Sequence, residues 1–166
     1  NAPLQLQTRH ASAQSTQIVL LGTGTPSPDP DRSGPATAVV VNGTPYLIDF
    51  GPGVVRRVAA ASQKGVTGLS VVNMRVAFLT HLHSDHTVGL PDLWLTGWLF
   101  GRARPLPLIG PAGTSQMAAH LTQAYAWDIA TRSKDERLPS DGVRFEARDI
   151  APGVVWDREG LKVTAF

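Results

Sequence analysis

The sequence predicts an α/β fold in which helices pack on a mixed sheet. Three observations predict it. Short apolar runs bounded by Gly, Pro, Asn and Asp mark strands near both ends of the chain. Longer stretches with apolar residues at helical spacing mark helices. In the middle of the chain the two kinds alternate, the pattern of strands joined by crossover helices.

Residues 1–16 are polar and aperiodic and read as a flexible tail, which leaves 17–166 as one domain. Gln17–Leu21 is an apolar run stopped by Gly22 and reads as a buried strand. Gly22 to Pro35 is dense in Gly, Pro, Asp and Ser and reads as a long loop. Thr37–Val41 and Pro45–Phe50 are two strands split by Asn42-Gly43, a pair that tolerates the positive φ of a tight hairpin turn. Val54–Lys64 has helical spacing and stops before Gly65. Arg75–Thr80 is the next strand. Thr87 to Phe100 reads as a helix, with Pro91 near its start and Gly101 past its end. Leu106–Ile109 is a strand, and Gly113 to about Ala130 a helix with Thr114 or Ser115 as its cap. Val143–Ile150, Val154–Trp156 and Leu161–Phe166 are three further strands. The last pattern stops without a turn signal, so the fold is expected to continue past Phe166.

Composition narrows the function classes. The 42% of hydrophobic residues suffices for a real core in a chain of 166 residues, one domain or part of one. The net charge of +2 is spread thinly. Arg56-Arg57 and Arg102-x-Arg104 are the tight basic pairs, and no basic stripe marks a nucleic-acid groove. Nucleic acid is therefore not favoured as a partner. The chain has no Cys, which excludes disulfides, thiolate zinc sites and a Cys nucleophile. No run reaches the roughly 18 apolar residues of a membrane span. The chain starts Asn1-Ala2-Pro3 without Met, and a periplasmic or exported location is favoured over the cytoplasm.

The densest chemistry is Thr80-His81-Leu82-His83-Ser84-Asp85-His86. In extended backbone, residues i and i+2 point to one side, so the imidazoles of His81 and His83 can converge on one metal. Asp85 and His86 follow where the chain turns into a helix. That turn can aim them at a second position about 3.5–4 Å from the first. Imidazole and carboxylate suit zinc, and also iron or manganese. Each metal then has two ligands, whereas a catalytic zinc normally has three plus water. His10 in the tail and His120, which reads as a surface helix residue, do not supply the rest.

This run, followed by Gly89-Leu90-Pro91, resembles the HxHxDH signature of the metallo-β-lactamase superfamily. Leu21-Gly-Thr-Gly-Thr-Pro26, Leu47-Ile-Asp-Phe-Gly51 and Gly110-Pro-Ala-Gly-Thr114 are similar to its ribonuclease Z and arylsulfatase-like branch. Gly22-x-Gly24 is not a dinucleotide loop, because a third Gly is missing and prolines follow instead of a helix. The resemblance implies an αββα sandwich, incomplete at the C-terminus, that holds two zinc ions. It assigns His81 and His83 to the first zinc and Asp85 and His86 to the second. It also makes Asp85 the group that takes a proton from water, and Asp49 an orienting group behind the ligands, where a turn-forming Asp at a strand end is an equal alternative. The family's remaining ligands follow a strand like Leu161–Phe166, so they are expected beyond 166.

The implied activity is zinc-dependent hydrolysis of an ester-type substrate: a phosphodiester such as a tRNA precursor, a sulfate ester, a lactone or a β-lactam. A small-molecule ester is favoured, with Trp94, Trp98 and Trp127 as candidate pocket residues, although packing in the core is the favoured reading of these tryptophans. Two alternatives compete. One is a di-iron redox protein on the same fold, although its relatives carry Glu where this chain has His83. The other is a non-catalytic half-domain that binds a partner. A homodimer, or association with a missing C-terminal portion, would complete the assembly.

Overall fold

The computed structural model describes residues 15–166. The tail reading and His10 therefore lie outside the described residues. Six strands form one sheet in the order β1 (Thr16–Gly22), β2 (Ala36–Val41), β3 (Thr44–Ile48), β4 (Val76–Phe78), β5 (Leu106–Gly110) and β6 (Phe145–Asp149). The first three pair antiparallel and the last three add on in parallel. Parallel neighbours need crossovers, and these are helical. They are α1 (Val54–Gln63), then α2 (Ser84–Thr87) with α3 (Leu90–Leu99), then α4 (Thr114–Ala124) with α5 (Ala126–Asp135).

Side chains alternate across the sheet, which creates two cores. On one face Ala38, Val40, Leu47, Ala77, Leu106 and Leu108 meet Val54 and Val58 of α1, Leu93 and Trp94 of α3, and Ala118 of α4. On the other face Val41, Tyr46, Val76, Phe78 and Ile109 meet Val155 and Trp156. These last two belong to β7 (Gly153–Arg158), which pairs with β8 (Leu161–Ala165) as a separate two-stranded sheet. The described residues thus supply helix, sheet and sheet, three of the four layers of the expected sandwich.

The Asn42-Gly43 hairpin forms as expected, with φ of 50° and 79° and Val41 facing Thr44. A second turn of the same kind, Glu159 and Gly160 with φ of 56° and 79°, joins β7 to β8. Its Glu159 clamps the small sheet to the large one. The carboxylate accepts from the Tyr46 hydroxyl at 2.9 Å and from Arg75 Nη2 at 2.5 Å. The Arg75 hydrogen bonds hold the Glu159 carboxyl down to about 2. Burial, more than the Glu159 contact, pushes the Tyr46 phenol up to about 12.

Three expectations need correction. β1 is a strand buried on one face only: Leu21 joins the main core, but Ile18 and Leu20 are 71% and 69% exposed. They lie on the face that the β7–β8 hairpin covers elsewhere, beyond the hairpin's reach at the sheet edge. The helix expected over 113–130 breaks at Tyr125, whose ring packs edge-on against Trp94, and resumes as α5. Neither Thr114 nor Ser115 caps it. Gly113 starts the helix at φ 102°, and the Asp149 carboxylate at the end of β6 accepts from the Gly113 and Ser115 amides at 2.9 and 2.7 Å. Those amides hold the Asp149 carboxyl below its usual value. Trp94 and Trp98 pack in the core, the favoured reading of the two, and form no pocket. Both are fully buried, and their indole N–H groups donate to the Val143 and Pro139 carbonyls at 2.8 and 2.9 Å. Trp127 stands on the surface of α5, 79% exposed.

Trp94 stacks on Phe145 with ring centroids 4.4 Å apart, so Trp94→Ala opens a large cavity in the main core. A loss of about 3–5 kcal/mol is expected for it, against less than about 0.5 kcal/mol for the exposed Trp127→Ala, both read from urea denaturation. For Glu159 the folded pKa lies below the unfolded one. Its contribution is therefore present above the usual 4.5 and lost as pH falls through about 2. Glu159→Gln should be less stable than the parent at neutral pH, and the gap should close between those two values in denaturation curves taken across pH.

Candidate metal centre

The site is built where β4 ends beside β3. Leu79 still donates to the Ile109 carbonyl at 2.8 Å, and the chain then bends at Thr80 and continues without regular structure to His83. His83 keeps extended angles, φ −65° and ψ 147°, and the single turn of α2 starts directly after it. His81 and His83 come together across this stretch, with His81 Nε2 3.1 Å from His83 Nδ1. The turn brings the other two residues round, with His86 Nε2 3.6 Å from Asp85 Oδ2. The His81 and His86 ring centroids lie 4.1 Å apart, so the two pairs are neighbours. Asp85 and His86 are half-buried, and His83 is exposed.

Behind the pairs stands Asp49, 6% exposed and at φ 59°. A positive φ costs a non-glycine residue energy and persists where the surroundings hold it. Here they do. Asp49 Oδ1 accepts from the Thr80 amide at 2.9 Å, and Oδ2 lies 2.7 Å from His86 Nδ1. The Thr80 hydroxyl lies 2.8 Å from Oδ2 and 3.0 Å from His81 Nδ1. Asp49 thus turns the chain at the end of β3 and sets its carboxylate against both Thr80 and His86.

The residues after Asp49 dock the strand end onto the cluster. Phe50 donates to the His86 carbonyl, and Gly89 to the Phe50 carbonyl, each at 2.9 Å. Gly51 is required by this approach: a Cβ there would lie 2.5 Å from the Asp85 carbonyl oxygen.

The donor set fits divalent ions in two pairs. Two nitrogens on one tetrahedral zinc, each ~2.0–2.1 Å from it, lie roughly 3.3 Å apart. The His81–His83 spacing is close to that value, and the Asp85–His86 spacing is only slightly longer. Among the described residues no three His, Cys, Asp or Glu side chains are grouped to hold an ion by themselves. His120 is exposed on α4 and adds nothing to the cluster. All four sequence-predicted ligands therefore come together, as pairs.

Two features escaped the sequence reading. One is the bridging Thr80 hydroxyl, visible in the sequence only as a small residue before the first His. The other is an open groove of about 560 Å³ leading to Asp85 and Ser84, walled by Pro26, Pro28, Pro52 and Val88, with Arg32 at its side. The Gly22–Pro35 loop forms much of it, and Arg57 of α1 holds that loop by donating to Ser33 Oγ at 3.1 Å.

Residues 29–105 match the family model described as the metallo-β-lactamase superfamily. The ribonuclease Z of Mycolicibacterium gilvum is 36% identical over 150 residues, covering 89% of this chain and 50% of the relative. The ribonuclease Z of Mycobacterium marinum is 41% identical, covering 89% and 52%. The chain spans about half the length of these curated relatives. In fold it resembles the short form of human tRNase Z, with a TM-score of 0.63 at 22% identity, over 92% of this chain and 60% of that one. It also resembles a diphosphatase of the PhnP family, with a TM-score of 0.59 at 20% identity, over 89% and 55%.

Gly51→Ala should force the strand end away from α2. We expect a cost of about 1–3 kcal/mol, as for other overpacked sites, in thermal denaturation. An unchanged midpoint would mean that the backbones at Gly51 and Asp85 have room to spare.

Proposed function

This chain belongs to the metallo-β-lactamase superfamily, and from that premise we propose that it carries half of the metal centre of a hydrolase that cleaves phosphodiester bonds in RNA. The observation that carries this reading is the pairing of donors at the end of β4: His81 with His83, and Asp85 with His86, at spacings that suit shared ions. His81 and His83 would hold one zinc, and Asp85 and His86 a second. Zinc bound there supplies Lewis acidity that brings the ionisation of water near neutral pH.

The chain's own groups do the rest. Asp49 orients His86 from behind, as outer carboxylates commonly do for ligating imidazoles. Asp85 lines the groove, and there it would accept a proton from an attacking water. The groove gives substrate a path to that position, and Arg32 on its wall offers a cation to a phosphate oxygen.

The substrate order changes from the one the residues alone suggest. Composition disfavours nucleic acid, but identities of 36% and 41% to proteins named ribonuclease Z outweigh a thin basic patch. The burial of Trp94 and Trp98 also removes the candidate aromatic pocket for a small ester. His83, where the di-iron alternative calls for Glu, favours zinc.

The test uses the whole protein that carries this chain, loaded with zinc. It should cleave a tRNA precursor or bis(p-nitrophenyl) phosphate in preference to an aryl sulfate, a lactone or a β-lactam. His83→Ala should lose zinc on elemental analysis and drop kcat/KM by more than about 100-fold, since even outer-shell changes cost 10–100-fold. Full zinc content and full rate in that variant would refute the reading, as would two irons and no zinc in the parent.

A further inference from the structure

We propose that Thr80 is a positioning residue whose hydroxyl fixes the ring tautomer of His81, so that the one buried Asp49 orients an imidazole in each ligand pair. The inference rests on the metal-centre reading above and adds a residue that the signature does not assign.

The argument is an account of protons. The Asp49 carboxylate can only accept hydrogen bonds. Its Oδ1 receives the Thr80 amide at 2.9 Å, and the Thr80 hydroxyl lies 3.0 Å from Oδ1 and 2.8 Å from Oδ2. Thr80 has a single hydroxyl proton, and the carboxylate claims it. What Thr80 Oγ1 then presents to His81 Nδ1, 3.0 Å away, is a lone pair. Only a protonated Nδ1 can meet a lone pair, so a neutral His81 ring carries its proton on Nδ1 and keeps a free pair on Nε2. That Nε2 is the atom that lies 3.1 Å from His83 Nδ1, in the space the first pair shares.

The same logic runs on the other side without an intermediary. Asp49 Oδ2 lies 2.7 Å from His86 Nδ1, which donates to it and leaves the Nε2 pair facing Asp85 Oδ2 at 3.6 Å. One carboxylate therefore turns both imidazoles to the tautomer a metal needs: His86 directly, and His81 through Thr80. Ligating histidines are commonly fixed by a hydrogen bond from the other ring nitrogen. Here the fixing group is shared, because Asp49 projects from the end of β3 between Thr80 and α2.

The test compares Thr80→Val and Thr80→Ser in the whole protein by long-range ¹⁵N–¹H spectra of the histidine rings and by zinc titration. In the metal-free parent, His81 should be a pure Nδ1–H tautomer. In Thr80→Val, His81 should populate both tautomers while His86 is unchanged, and zinc should bind about 10–100-fold more weakly. Thr80→Ser, which keeps the hydroxyl, should restore both readouts. A Thr80→Val protein with the parent's His81 tautomer and zinc affinity would overturn the proposal and leave the metal centre intact. Thr80→Ser as defective as Thr80→Val would also overturn it, since the methyl group would then be what matters. A parent that binds no zinc but shows the tautomer change in Thr80→Val would retain the relay and sink the proposed function instead.

Discussion

The site depends on the burial of one carboxylate. Asp49 sits at the end of β3 with little access to solvent and in a backbone conformation that costs energy. A buried carboxylate is tolerated only when its oxygens are satisfied by donors. The donors come from two other places, the Thr80 amide and hydroxyl after β4 and the His86 ring on α2. Folding cannot bury Asp49 without drawing those two segments onto it. The backbone repeats the instruction: Asp49 donates to the Phe78 carbonyl, and Phe50 to that of His86. The convergence of His81, His83, Asp85 and His86 follows from satisfying this carboxylate.

Much of this was legible in the sequence because it is local. The i, i+2 spacing of His81 and His83 suggests that both rings meet, and they do. The Asn42-Gly43 turn and the alternation of strand and helix also follow from a few adjacent residues. What was not legible is what depends on distant partners. Asp149 caps α4 from 34 and 36 residues away, so a search for a cap beside the helix chose Thr114 or Ser115 instead. Tyr125 breaks a helix whose spacing is otherwise continuous because Trp94 offers its ring a place in the core. Gln17–Leu21 is apolar enough for a buried strand, yet its cover is decided by how far the β7–β8 hairpin reaches. The tryptophans were candidates for a pocket because aromatic side chains serve in cores and sites alike, and only packing separates the two roles.

The layers explain why chemistry sits at one edge. The helices cover one face of the large sheet, and β7–β8 covers part of the other, tied down by Glu159 to Arg75 and Tyr46. Both faces at the centre are therefore committed to packing. The strand ends beyond β3 and β4 are free to carry polar groups, and the loop from Gly22 to Pro35 folds beside them to make the groove. Binding at the carboxyl ends of parallel strands is a general habit of such sheets, because the loops there can vary while the strands stay packed.

The central claim is that these four side chains hold divalent ions in two adjacent pairs. Anomalous X-ray scattering at the zinc absorption edge, from crystals of the whole protein grown with zinc, tests it most directly. The account predicts two neighbouring peaks, one between His81 Nε2 and His83 Nδ1 and the other between Asp85 and His86. Rings turned apart into solvent, with no anomalous density between them, would contradict it.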